Sequence, residues 1–168
     1  MNKICCYLVG PIQAANDSGE GWRKKYTPSL ESLGIKVLNP NKIEKEDLHH
    51  SAAYTQKQLA NYIFNEKWAE FDSIMSTIQD RDFKAVRVSD FLIAYLDPDV
   101  KYGGTVAEIE RARSLGIPVF VVCEKELHRE NFWVIYTIRD SGGKIFKSFP
   151  ELIDYLSQGI KSGVIKCL

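Results

Sequence analysis

The chain has 168 residues, of which 45% are hydrophobic and 26% charged: enough for one domain (1–168) with a full core, too little for two ordinary ones. Lys+Arg and Asp+Glu both number 22, so the net charge is zero, and no basic excess points to nucleic acid or an anionic membrane as a partner. The four cysteines (Cys5, Cys6, Cys123, Cys167) show no CxxC or zinc spacing and read as core or incidental thiols of a reducing, cytoplasmic compartment.

Taken in chain order, the first apolar run, 4–9, follows a single lysine and is too short to span a membrane. With Gly10-Pro11 behind it, a first β-strand is expected rather than a signal peptide. A helical pattern over 20–33 ends at Gly34, a natural residue for the position after a helix, and Pro28 is expected to break it into two pieces. A second strand is expected at 35–38. Residues 53–78 then carry Tyr54, Leu59, Tyr62, Ile63, Trp68, Phe71 and Ile74-Met75 at helical spacings, a helical insertion long enough to lie over a ligand edge. Strands follow at 91–96, 118–123 and 144–147, with a helix over 105–115 between the first two. Ser148-Phe149-Pro150-Glu151 opens a last helix to about Leu156 as a capping box. The runs at 4–9, 91–96 and 118–123 are continuous, as in strands covered on both faces. The expectation is an α/β, flavodoxin-like or Rossmann-like doubly wound parallel sheet of five strands in the order 2-1-3-4-5.

The chemistry concentrates in the stretch 82–109. Strand 91–96 runs into a loop with Asp97, Asp99, Gly103 and Gly104, and then into Thr105-Val106-Ala107-Glu108. This puts Glu108 in a first helical turn beside the carboxyl end of a central strand, where open α/β sheets bind ligands. Thr105-x-x-Glu108 has the spacing of a capping box, which would explain the glutamate without any chemistry. Alternatively, the helix terminus keeps Glu108 ionised, poised to attack or stabilise an oxocarbenium-like sugar centre. Gly103-Gly104 would let the backbone approach a ligand closely. Asp82 reads as a solvated helix charge or as a hydrogen-bonding group for a heterocycle. Asp90 reads as a turn or cap residue at the strand's entrance, and Asp97 as turn chemistry. The loop Gly10-Pro11-Ile12-Gln13 leaves the same edge as the loop to Glu108. Behind it, Trp22 could stack on a ligand and Arg23 hold an anion. His49, His50 and His128 have no metal-ligand spacing, and no metal or organic cofactor is expected.

These residues carry a resemblance. Tyr7-x-x-Gly10-Pro11, then Asp82 and Asp90 eight residues apart, the apolar strand, and Gly104-Thr105-x-x-Glu108 resemble the nucleoside 2-deoxyribosyltransferase family, which includes deoxynucleoside-monophosphate N-glycosidases. Asp17-x-Gly19-x-x-Trp22-Arg23 is similar to a phage and bacterial subgroup. The resemblance implies cleavage of the bond between a base and 2-deoxyribose without a cofactor. It implies Glu108 as the nucleophile at C1′, Asp82 as the group that contacts and protonates the base, and Tyr7 as the residue orienting the nucleophile. It also implies a homo-oligomer in which Asn131 reaches the neighbouring subunit's site. Where transferases of the family carry an aspartate and nucleotide hydrolases a serine, this chain has Tyr102. Where the hydrolases have an arginine after the first glycine loop, it has Gln13. Transfer or hydrolysis, and nucleoside or 5′-monophosphate as the small-molecule substrate, therefore stay open. The alternatives from other classes are a TIR-like NAD glycohydrolase and a non-catalytic nucleotide-binding sensor.

Overall fold

The computed structural model describes residues 3–43 and 51–166. Five parallel strands form one sheet in the order β2-β1-β3-β4-β5, with β1 at Cys5–Val9, β2 at Lys36–Leu38, β3 at Phe91–Tyr95, β4 at Val119–Val122 and β5 at Lys144–Phe146. This is the doubly wound architecture and order expected. The helices are α1 (Glu20–Ser32), α2 (Ala52–Phe64), α3 (Trp68–Arg87), α4 (Gly103–Ser114), α5 (Phe132–Asp140) and α6 (Phe149–Lys161).

Alternate residues of a strand face opposite sides, and here both sides are apolar. Tyr7, Val9, Leu92, Ala94, Val119 and Val121 pack with Val86 of α3, Ile109 and Ala112 of α4, and Val134 and Ile138 of α5. Cys6, Leu8, Phe91, Ile93, Phe120 and Val122 pack with Leu30 of α1 and with Phe149, Leu152 and Leu156 of α6. Leu92 and Ile93 are completely buried; truncating either to alanine is expected to cost about 2–5 kcal/mol.

Four local expectations are corrected. First, Pro28 does not break α1, which runs through it as one helix. The buried Leu30 and Arg23 anchor the segment, and the Thr27 hydroxyl donates to the Arg23 carbonyl, 2.6 Å away, in the turn that proline loosens. Gly34, at φ +81°, closes the helix as expected. Second, residues 53–78 belong to two helices, α2 and α3, separated at Asn65-Glu66-Lys67, where Glu66 takes a left-handed conformation (φ +54°). Third, α6 reaches Lys161, while its start is as expected: Ser148 accepts from the Glu151 amide.

The fourth correction bears on function. Helix α4 begins at Gly103, with Tyr102 as its cap residue and no side-chain cap bond. Thr105 is therefore inside the helix and Glu108 lies in its second turn. The capping-box explanation of Glu108 falls, and so does the argument from a first-turn helix dipole, which fades within one turn.

His49 and His50 lie outside the described residues, as does Cys167; the other three cysteines are buried. Among the described residues, no helix is long and apolar enough to cross a membrane.

Candidate active site

Strands β1 and β3 are neighbours, and the helices that follow them, α1 and α4, cover opposite faces of the sheet. The chain diverges at their carboxyl ends and leaves a crevice, the usual ligand site of this architecture. A cleft of about 470 Å³ opens there on the α3/α4 side. Its walls are Gly10, Pro11, Ile12 and Gln13 after β1, Lys101, Tyr102, Gly103, Gly104 and Thr105 before and within α4, and one stripe of α3. A Cβ built on Gly103 or Gly104 would meet no atom, so these two positions leave the cleft wall open.

Glu108 and Asp82 both line this cleft. The hydroxyl of Tyr7, a fully buried side chain on β1, donates to Glu108 Oε1 at 2.9 Å. Asp82 comes down from α3, and its Oδ1 accepts from Arg81 Nε at 2.9 Å. The two carboxyl groups feel each other. Burial, and next the charge of Asp82, push the Glu108 carboxyl up to about 8, while the Tyr7 hydrogen bond, Arg23 and Arg81 pull it down. Burial and the same two carboxylates hold the Tyr7 phenol well above its ordinary value, so it remains a donor. An unliganded cleft at neutral pH therefore keeps a proton on Glu108. Tyr102, also in the wall, donates its hydroxyl to the buried carboxylate of Glu130. Among the described residues, no three His, Cys, Asp or Glu side chains converge in a way that could hold a metal ion.

The other residues singled out in the sequence lie elsewhere. Trp22 and Asp97 line a second cavity of about 520 Å³, on the other side of loop 10–19, with Tyr26, Tyr95 and Phe149. Asp97 is paired there with Lys125 at 2.6 Å. Arg23 lines neither cavity; it is 1% exposed and donates to the carbonyls of Gly19 and Gly10. Asp90 accepts from the Cys5 amide at 2.7 Å, at the amino ends of β1 and β3, the edge opposite the cleft. Asn131 caps α5, accepting from the Trp133 amide at 2.9 Å. The sequence reading missed Met75, Ile78 and Gln79 as cleft residues. Together with Asp82 and Phe83 they follow the three- and four-residue spacing of one helix face, which was the available signal.

Fold and crevice together define a doubly wound α/β domain with a carboxylate-bearing cleft at its switch point. Solved structures of this fold include the CMP N-glycosidase BcmB of Clostridium botulinum, 17% identical over 90% of this chain and 97% of that one, with a TM-score of 0.50. They also include a 2-deoxyribosyltransferase from Bacillus psychrosaccharolyticus (17% identity, 90% and 91% coverage, TM-score 0.59). A conserved protein from Enterococcus faecalis V583 is similar over 94% of this chain and 99% of its own, at 17% identity and a TM-score of 0.60. Identity this low establishes the shared fold. No family model matches the sequence, and no curated protein matches it.

Proposed function

We propose that this protein is an enzyme that cleaves, and in the presence of an acceptor base transfers, the N-glycosidic bond of a 2′-deoxynucleoside or its monophosphate. The observation that carries the reading is the meeting of Glu108, hydrogen-bonded by Tyr7, with Asp82 in one cleft at the β1/β3 switch point. The fold likeness to an N-glycosidase and a deoxyribosyltransferase supports it.

In the reactive state the single proton of the pair has passed from Glu108 to Asp82, leaving Glu108 ionised. The Glu108 carboxylate attacks C1′, the C1′–N bond breaks with its electron pair going to the base, and Asp82 delivers the proton to the departing nitrogen. Water, or a second base, then attacks C1′ of the glycosyl-enzyme and gives its proton to Asp82, and the C1′–O bond breaks to free Glu108 as a carboxylate. The 2-deoxy sugar forms its cation readily, so a nucleophile and a proton donor suffice. Tyr7 fixes the carboxylate's rotamer and follows its charge through the cycle.

We further propose that the protein works as a homo-oligomer. Phe132, Trp133 and Tyr136 lie on α5 at 76%, 74% and 64% exposure, an aromatic face beside Asn131 that supports contact with a second copy.

The test is incubation with deoxynucleosides, their monophosphates, ribonucleotides and NAD, each with and without an acceptor base, read by chromatography. Release of free base from a deoxy substrate, lost in Glu108→Gln, is the expected result. Turnover of NAD alone would move the protein to the glycohydrolase class, and binding without turnover would make it a sensor.

A further inference from the structure

Among the described residues, Arg23 is the one fully buried cation near the cleft. Its Nη1 donates to the Gly19 carbonyl at 2.8 Å and its Nη2 to the Gly10 carbonyl at 3.1 Å. Those two carbonyls are the ends of loop 10–19, the wall between the cleft and the aromatic cavity. The guanidinium also lies over the Trp22 ring, 4.5 Å from its centroid. The fit is tight: a Cβ on Gly19 would collide with Arg23 Nη1 and the Pro11 carbonyl, and one on Gly10 would sit 3.1 Å from Trp22 Cζ2. Gly19 also needs its positive φ of +68°. Nε has no hydrogen-bond partner among the described residues.

Two neutral carbonyls and one ring are poor compensation for a desolvated cation. Burial alone would drive the guanidinium's pKa down. The groups whose ionised forms resist this are Tyr7, Glu108, Asp17 and Asp82, leaving it lowered to about 10, so Arg23 stays cationic. Reciprocally, Arg23 lowers the pKa of Glu108.

We propose that Arg23 is a positioning residue: its fork ties the two ends of loop 10–19, and its charge stands behind Glu108 as a fixed counter-ion. Its importance for turnover rests on the N-glycosidic reading above; the loop tie and the charge do not. The groups that share this field are Tyr7 on β1, Asp17 in the loop, Arg81 and Asp82 on α3, Lys101 in the cleft wall and Glu108 on α4. Arg23 lines neither cavity and so meets no ligand in either.

Two variants separate the two roles. Arg23→Gln keeps a donor and removes the charge. Arg23→Lys keeps the charge and removes the fork. The measurements are carbon NMR titration of Glu108 labelled at its carboxyl carbon, hydrogen exchange of the loop amides, and the pH profile of kcat/KM. In Arg23→Gln the Glu108 midpoint and the alkaline limb of the profile should both move up by about 0.5–1 pH unit, the size expected for losing a nearby opposite charge. In Arg23→Lys the midpoint should stay in place while amides of loop 10–19 exchange at least about tenfold faster. An unmoved midpoint in Arg23→Gln would overturn the counter-ion role. Unchanged exchange in Arg23→Lys would overturn the tie, and that variant decides the matter alone if Arg23→Gln fails to fold, since a shifted midpoint there would also defeat the charge role. If the titration and exchange results appear but no nucleoside is ever turned over, the inference about Arg23 stands and the N-glycosidic reading falls.

Discussion

The two hollows on either side of loop 10–19 are of similar size, about 470 and 520 Å³, and treat charge in opposite ways. In and beside the aromatic cavity the acidic groups are paired where they stand. Asp97 and Asp99 each meet Lys125 at 2.6 Å, Asp99 also meets Arg129, and Glu124 accepts from the Tyr95 hydroxyl at 3.3 Å. The rings behind them, Trp22, Tyr26 and Phe149, are stacked on one another. In the cleft, two carboxyl groups repel each other and one is held protonated by its surroundings. Volume does not tell the hollows apart. Like charges kept close together are costly, and a fold retains them where a reaction uses them.

That contrast is open to attack. The largest expected effect is on Glu108. Glu108→Gln keeps the shape and loses the charge, so turnover should fall by at least about 1,000-fold with the fold intact; circular dichroism and the chromatographic assay together check it. Asp82→Asn should fall by about 100-fold or more, the usual contribution of a positioned proton donor, and the loss should shrink for substrates with good leaving bases. In the aromatic cavity, Lys125→Ala should change turnover by less than about threefold, because it breaks only exposed pairs. A loss there comparable to that of Asp82→Asn would mean that the wrong hollow has been assigned.

The pH dependence sharpens the same comparison. Since kcat/KM reports the free enzyme and the one proton of the Glu108–Asp82 pair, resting on Glu108, is lost at about 8, kcat/KM should fall as pH rises through that value. Stability should fall with pH as well, beginning lower. A carboxyl whose folded pKa is raised contributes stability that is complete below its unfolded value, roughly 4.3, and is lost as pH rises through the folded value. Urea unfolding should therefore find the wild type losing ground to Glu108→Gln between about pH 5 and pH 8.5. The smallest effect on chemistry, but a visible one on assembly, is expected for Trp133→Arg on α5. If that face joins two copies, sedimentation should show a lighter species.

Much of this was legible in the sequence. Runs such as Phe91-Leu92-Ile93-Ala94-Tyr95 are apolar at every position because helices cover both faces, and that alone implies a parallel sheet. The meeting of loop 10–13 with residues 101–105 follows from the strand order. Other features were hidden by their causes. Gly103 and Gly104 disfavour helix by about 1 kcal/mol each, so the sequence puts them in a loop; tertiary packing draws them into α4 and moves Glu108 by a turn. Trp22 and Arg23 are consecutive, yet one faces a cavity and the other the interior, as a step of about 100° along a helix allows. Asp90 and Asp82 look alike in the sequence; only the direction of β3 sends one to the wrong edge. The Lys125 that neutralises Asp97 comes from the loop after β4, at a register no local pattern contains.

The hydrogen bond between Tyr7 and Glu108 joins residues 101 positions apart, across the β1–β3 seam. Contacts of such sequence separation form late and slowly, because the chain entropy of closing the loop is lost before the contact returns anything. No fragment ending before residue 108 holds the pair, and a collapsed chain with helices formed but β1 unseated does not hold it either. Recovery of catalysis during refolding should thus lag the recovery of helical signal and coincide with the seating of β1 against β3.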